Sequence, residues 1–336
     1  MVNHDDRPRT GDKPLNTLTD SASEPLWHVL GVGAMGCLWA ARLWQHPPLQ
    51  HRVALLLRSA VTLADYRQHG GLTLEAPAGG APLQVPVAAE QVSMPGPALR
   101  NLLVATKAQD VAAALVSVQH RLDACTRIVL LQNGVRVQRE ITVQYGADRV
   151  WCLSTSHGAW RRSPWHVVHA GAGSAWLGQL THADAAQRRA LLALLPEQAM
   201  QVRGDADIAV RLWQKFAVNC AVNALTVVHD CANGELLHRP AARQTLDALI
   251  EEIDGLLRAL PPAPTLPDLR VSVHEVLAAT AANLSSTLQD ARAGRATELD
   301  HLNGYLLSLA AQHGLAAPLN AQLLQAVAQR TGASSS

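Results

Sequence analysis

The chain has 336 residues, 48% of them hydrophobic, and its 28 Lys and Arg against 27 Asp and Glu leave a formal net charge of +1. That length accommodates two domains with separate cores, and scattered basic residues at near-neutral charge give no footprint for nucleic acid or a membrane surface. No apolar run approaches the roughly 18 residues needed to cross a bilayer. The five cysteines, Cys37, Cys125, Cys152, Cys220 and Cys231, are odd in number and contain no CxxC pair, which speaks against a disulfide framework and against a zinc or other metal site. They read as buried free thiols of a cytoplasmic protein.

Residues 1–24 are polar and charged without an apolar core, so they read as a disordered leader and not as a secretory signal. From Leu26, LWHVLGVGAMGCLWAARLWQ passes from a short apolar segment through glycines into an amphipathic helix, and HRVALLLRS adds a second apolar segment, completing a βαβ unit. The stretch HGGLTLEAPAGGAPLQVPVAAE alternates short strands with Gly and Pro turns and is expected to form an insertion at the sheet edge. LRNLLVATKA and TRIVLLQNGV are further strands separated by the helical QDVAAALVSVQHRL, an order that predicts a parallel, doubly wound sheet. Extra strands follow over residues 151–185, and beyond about residue 186 the pattern is helical, interrupted by PPAPTLPDL. The predicted fold class is thus an α/β Rossmann-type domain, residues 25–205, followed by an all-α domain, residues 206–330, and a short disordered tail, 331–336.

Gly31, Gly33 and Gly36 form GxGxxG between a predicted strand and a predicted helix, the context that gives this motif its meaning. The glycines allow the turn, let backbone approach a pyrophosphate and pack helix on strand, with Val32, Ala34 and Met35 completing the loop. An NAD-preferring site places an acidic residue at the end of the second strand, whereas this chain offers Arg58, whose guanidinium can fork onto a 2′-phosphate. The expected cofactor is therefore NADPH, the alternative for Arg58 being a solvated strand end. Lys107 and Asn133 also fall at carboxyl ends of predicted strands, where ligands of open α/β sheets gather.

In WQKFAVNCAVNAL, Lys215, Asn219 and Asn223 recur every fourth residue and share one face of a predicted helix that is otherwise apolar. A cation and two amides that cannot easily reach water line something: an interior polar network or a site that binds anions and moves protons. In NLSSTLQDARAGRATELDHLN, one helix is expected to end near Arg292 to Gly294 and another to start at Thr297. Ser286 and Asp290 share a face there; taken alone, this cluster reads equally as caps and surface groups.

The strings LGVGAMGCLWAARL, LLVATKAQDV, QNG, RLWQKFAVNCAVNALT with CANGEL, and ATAANLSSTLQDARAGRATELDHLNGYLL together resemble the ketopantoate reductase (2-dehydropantoate 2-reductase) family from about Trp27 to about residue 330. The resemblance implies a Rossmann domain joined to a helical domain of the 6-phosphogluconate dehydrogenase type, with the site between them. It implies an NADP-dependent oxidoreductase acting on CH–OH groups, reducing a small 2-keto acid, 2-dehydropantoate, to (R)-pantoate in pantothenate biosynthesis. By the same likeness Lys215 is the general acid, with Glu298 beside it at substrate and cofactor. Asn219, Asn223, Asn283 and Ser286 hold substrate, and the glycine loop, Arg58, Lys107 and Asn133 hold NADPH. Gln132 replaces a histidine often found before Asn-Gly, Ala224 a proline and Leu299 an isoleucine, none of them removing a side chain the chemistry needs. Reduction of a different 2-keto acid on the same fold and a non-catalytic NADPH-binding sensor stand as alternatives, and a homodimer is left open.

Overall fold

The computed structural model describes residues 25–76, 80–181, 184–261 and 264–332, so the leader and the tail beyond Gly332 lie outside the described residues. The first half runs β1 (Trp27–Leu30), α1 (Ala34–Gln45), β2 (Val53–Leu57), α2 (Ala60–His69), β3 (Leu72–Glu75), β4 (Leu83–Val85), β5 (Ala88–Gln91), β6 (Asn101–Val104), α3 (Val111–Ser117), β7 (Arg127–Leu130), α4 (Arg136–Tyr145) and β8 (Val150–Thr155). Strands β9 (Gly158–Ser163), β10 (His166–Gly171) and β11 (Ala175–Gly178), helices α5 (Ala185–Leu192) and α6 (Glu197–Met200), and β12 (Val202–Gly204) complete it.

Eight strands form one sheet in the order β12-β11-β8-β7-β6-β1-β2-β5, parallel except where β11 meets β8. Strands β1, β2 and β8 are buried at every residue, as strands covered on both faces should be. The chain leaves β1 toward β2 and returns to β6 on the other side, so the order reverses between β1 and β6. A crevice opens at the carboxyl ends of those two strands.

The insertion only partly takes its expected place. Strand β5 does sit at the sheet edge beside β2, but β3 and β4 join a second sheet, ordered β4-β3-β10-β9. Its buried Leu72, Leu74, Val85 and Val167 share a core with α1, which is packed between the two sheets. Alternation explains the difference: Leu72 and Leu74 form one apolar stripe on β3, and that stripe is covered by α1. Strand β12 is a second departure, a short parallel edge inside a stretch read as helical.

Behind α1 lies a buried polar chain. The Arg42 guanidinium is 3.1 Å from His169 Nδ1, His169 Nε2 is 3.0 Å from His157 Nδ1, and His157 Nε2 is 2.9 Å from the Met200 carbonyl oxygen. Arginine can only donate, so each ring accepts on one nitrogen and donates from the other, and both histidines are neutral. Burial and the Arg42 charge hold His169 down at about 4, and burial lowers His157 as well.

The second half is helical: α7 (Ile208–His229), α8 (Glu235–His238), α9 (Pro240–Ala259), α10 (Leu269–Ala279), α11 (Ser286–Arg292), α12 (Asn303–Gln312) and α13 (Pro318–Thr331). Helix α7, about 33 Å long at 1.5 Å per residue, is the axis around which α9, α10, α11 and α13 pack. Its Phe216, Ala217, Cys220, Ala221, Ala224 and Leu225 are fully buried; Phe216 alone removes apolar surface worth roughly 2–3 kcal/mol. The helix expected from Thr297 starts instead at Asn303, after a 3-10 turn over Leu299–His301, because the backbone at Leu302 (φ −105°, ψ −99°) breaks helical geometry. Four cysteines are buried, and burial raises the thiols of Cys37 and Cys152 to about 12, but Cys125 is exposed in a surface turn. No described helix is long and apolar enough to cross a membrane.

Candidate active site

One wall of the crevice is backbone. Gly31 follows β1 with φ +103°, and a Cβ there would come within 2.5 Å of the Thr106 amide nitrogen. At Gly36 a Cβ would lie 1.8 Å from the Gly31 carbonyl oxygen, so helix α1 can rest on the loop only without a side chain. Gly33, the N-cap of α1, differs: a Cβ there would meet nothing within 4 Å, no side chain caps the helix, and no acidic residue occupies its first turn. An open, uncapped helix N-terminus beside two sterically required glycines fits a dinucleotide pyrophosphate. Arg58 follows β2 directly and is exposed, while the next residue, Ser59, caps α2 by accepting from the Thr62 amide at 3.1 Å.

In the helical half, Lys215 and Asn219 are half-buried and Asn223 is buried, successive turns of one face of α7. The Lys215 ammonium is enclosed and donates to the Thr155 carbonyl oxygen at the end of β8, 2.7 Å away. Burial lowers it from the usual lysine range to about 8, while the negative charge of Glu298 opposes the shift.

Further hydrogen bonds join the halves. Lys107 donates to Asp290 Oδ2 at 2.8 Å and to the Ala296 carbonyl oxygen at 2.6 Å, and the Ala108 amide donates to Glu298 Oε1 at 3.0 Å. The loop after β6 is therefore held by α11 and by the turn that follows it. Asp290 is also engaged by Arg295 at 2.8 Å. Since Lys107 and Asp290 both keep some exposure, their attraction is screened and contributes about 1 kcal/mol at most.

Between the walls is a cleft of about 880 Å³. Gly33, Ala34, Met35, Lys107, Asn133, Ser286 and Glu298 are brought together in its lining; Lys215, Asn219, Asn223, Asn283 and Arg58 are not part of it. Lys215 is tied to the lining through its electrostatic coupling to Glu298, whereas Asn283 is exposed in the turn before α11, its amide donating to the Thr280 carbonyl oxygen. Gln132 is not a surface substitute for histidine: it is buried, and its Nε2 donates to the Val104 and Thr106 carbonyl oxygens at 2.9 and 3.0 Å, fixing the loop ends of β6 and β7 to each other. Asn303, also polar, is fully buried and donates to the Cys220 carbonyl oxygen and Asn320, an internal strut. Asp290, Trp160, Arg161 and Arg295, which are not among the site residues expected from the sequence, also line the cleft. For Asp290 the signal was present, four residues after Ser286 on the same helix; for Trp160 and Arg161 none was, because they arrive from the second sheet.

The Ketopantoate reductase PanE/ApbA family matches residues 27–182, and its C-terminal counterpart matches residues 207–331. The 2-dehydropantoate 2-reductase of Vibrio cholerae is 33% identical over 301 residues, covering 89% of this chain and 95% of that protein. Its counterpart in Salmonella typhimurium is 31% identical over 310 residues, covering 90% and 94%. Among solved structures, a PanE/ApbA family ketopantoate reductase from Ralstonia eutropha superposes with a TM-score of 0.79 at 24% identity, covering 91% of this chain and 98% of that one. A D-mandelate dehydrogenase solved with NADH and anilino(oxo)acetate gives 0.81 at 20% identity over the same shares, a likeness of fold. With both halves matched in order and across nearly the whole described chain, this protein is an oxidoreductase belonging to the ketopantoate reductase family.

Proposed function

We propose that the chain reduces 2-dehydropantoate to (R)-pantoate with NADPH, a step of pantothenate and coenzyme A biosynthesis, with Lys215 as the general acid. The observation that carries this reading is the enclosed Lys215 ammonium, lowered to about 8 and coupled to Glu298 at the cleft opposite an uncapped, glycine-lined helix N-terminus. NADPH would be held by Gly31 to Gly36, Arg58, Lys107, Asn133 and Glu298, and when bound it supplies a hydride to the keto carbon.

Reduction places negative charge on the former carbonyl oxygen, which requires a proton donor poised beside it. Lys215 has three N–H groups and commits one to Thr155, leaving others to donate. A lysine lowered to about 8 is a stronger acid than a solvated one yet remains largely protonated at neutral pH. Asn219, Asn223, Asn283 and Ser286 can bind the carboxylate and hydroxyl oxygens of the substrate without adding charge, and Glu298 can accept from a hydroxyl or steady the lysine. The decisive assay follows NADPH oxidation with 2-dehydropantoate beside a panel of other 2-keto acids. A clear preference for 2-dehydropantoate is expected; a tenfold better rate with another 2-keto acid would replace the substrate. Arg58→Ala is expected to narrow the preference for NADPH over NADH, and an unchanged preference would remove Arg58 from the 2′-phosphate.

A further inference from the structure

The cleft contains a cation that no part of the proposed site uses. Lys107 and Arg295 are both paired with Asp290, and Arg292 is paired with Asp230. Arg161 lines the same cleft, is exposed, and has no carboxylate partner among the described residues. Its side chain donates from Nη1 to the Val32 carbonyl oxygen, 3.3 Å away, inside the glycine loop.

Its placement follows from the second sheet. On β9, Arg161 pairs with Val167 and Ala159 with His169 across the antiparallel ladder, and opposed residues share a face. Val167 and His169 are buried toward α1, so the same face of β9 carries Arg161 to the start of that helix. The register then slips by one residue, from the pair Val167–Arg161 to His166–Ser163, leaving Arg162 as a bulge; such irregularities re-aim side chains beside functional clefts. Arg162 turns away to Glu75 at 3.1 Å, and Arg161 is left at the glycine loop.

We propose that Arg161 closes over the pyrophosphate of the bound dinucleotide, giving that anion a side-chain cation from the second sheet as well as the amides of the α1 N-terminus. This rests on the cofactor reading above. A planar guanidinium with five donors suits a pyrophosphate, and one already bonded to a backbone oxygen of the loop loses little freedom in reaching the adjacent anion. Arg161 thereby differs from Arg58, which addresses only a 2′-phosphate.

Calorimetric titration of the full chain with NADPH, NADH, ADP-ribose and adenosine 2′-monophosphate separates these roles. Arg161→Ala and Arg161→Gln are expected to weaken the three pyrophosphate ligands by about tenfold each, the scale of one charge-assisted bond at an exposed site, and to leave adenosine 2′-monophosphate unchanged. Arg58→Ala should instead weaken NADPH and adenosine 2′-monophosphate and spare NADH. The Cys37 thiol lies 3.5 Å from the same Val32 oxygen, so that oxygen keeps a donor in the variants. Unchanged affinity with a lowered melting temperature would make Arg161 a strut and overturn the proposal, as would a loss confined to NADPH. If the wild-type chain binds none of the four ligands, the cofactor reading itself fails and takes this proposal with it.

Discussion

The two walls of the cleft are built on different physical terms. The glycine-loop wall is backbone, its shape set by contacts so close that a methyl group at Gly31 or Gly36 overlaps a main-chain atom. The helical wall is side chains: Ser286 and Asp290 on α11 and Glu298 in the turn beyond, held by hydrogen bonds, with the desolvated charge of Lys215 on α7, outside the lining, coupled to Glu298. A backbone wall tolerates no substitution at its tight points but offers little chemistry of its own. A side-chain wall can lose a functional group and remain folded. On the proposed reading, binding an invariant part of a ligand falls to the first, and proton transfer to the second.

The largest expected effect is on the helical wall. Lys215→Ala should lower turnover by about 100-fold or more, the ordinary contribution of a general acid, while NADPH affinity changes little. In the wild type, turnover in the reductive direction should fall as pH rises through about 8, because the deprotonated amine can no longer donate. Rates measured from pH 6 to 10 test both, and near-normal turnover in the variant would refute the acid role.

Next comes a paired test of the backbone wall. Gly36→Ala is expected to destabilise by about 3 kcal/mol or more, since the clash is with main chain that cannot yield. Gly33→Ala should cost under about 0.5 kcal/mol in the free protein, having open space around it, yet weaken the dinucleotide. Urea titrations with and without NADPH compare them; equal destabilisation by both would dissolve the contrast between fit and function in this loop.

A smaller effect concerns what stands behind that wall. His169 in the folded chain takes up its proton only at about 4, against about 6.5 when unfolded; between those values the unfolded chain binds more protons. Stability should therefore fall as pH is lowered through that window, by about 3 kcal/mol at most, and be fully present above it. His169→Gln should flatten this dependence in urea midpoints taken at pH 7 and pH 4.5. The helical wall would then lose its chemistry on the alkaline side, and the scaffold under the backbone wall its stability on the acid side. The smallest effect is at the join: Asp290→Asn should shift dinucleotide affinity or stability by no more than about 1 kcal/mol, because its pair with Lys107 is partly solvated. A larger loss would make that contact a working part of the site.

Much of this was legible in the chain itself. The uninterrupted apolar run of β2 marks a strand covered on both faces, and GxGxxG between strand and helix marks the loop, because each signal is local. The four-residue recurrence of Lys215, Asn219 and Asn223 likewise identifies one helix face without reference to any neighbour. Less was legible where a signal depended on distant chain. Leu72 and Leu74 alternate as a strand should, but nothing in their own segment names α1 and β10 as partners, so β3 could not be assigned to a second sheet. Cys125 looks like the other four cysteines in sequence and differs only in falling at a surface turn.

By itself, then, the sequence determined the order of most strands and helices (β12 and the start of α12 excepted), where the backbone must be bare, and which polar groups share a face, since these follow from φ/ψ preferences, side-chain period and spacing within a few residues. Tertiary structure alone decided that Lys107 reaches Asp290 across 183 residues, that Glu298 accepts from Ala108, and that burial lowers Lys215 to about 8. It also decided that Arg161 comes to the glycine loop from a separate sheet. Contacts of that kind, and the desolvation that tunes a lysine, depend on which surfaces pack together, and chain order carries no distance between them.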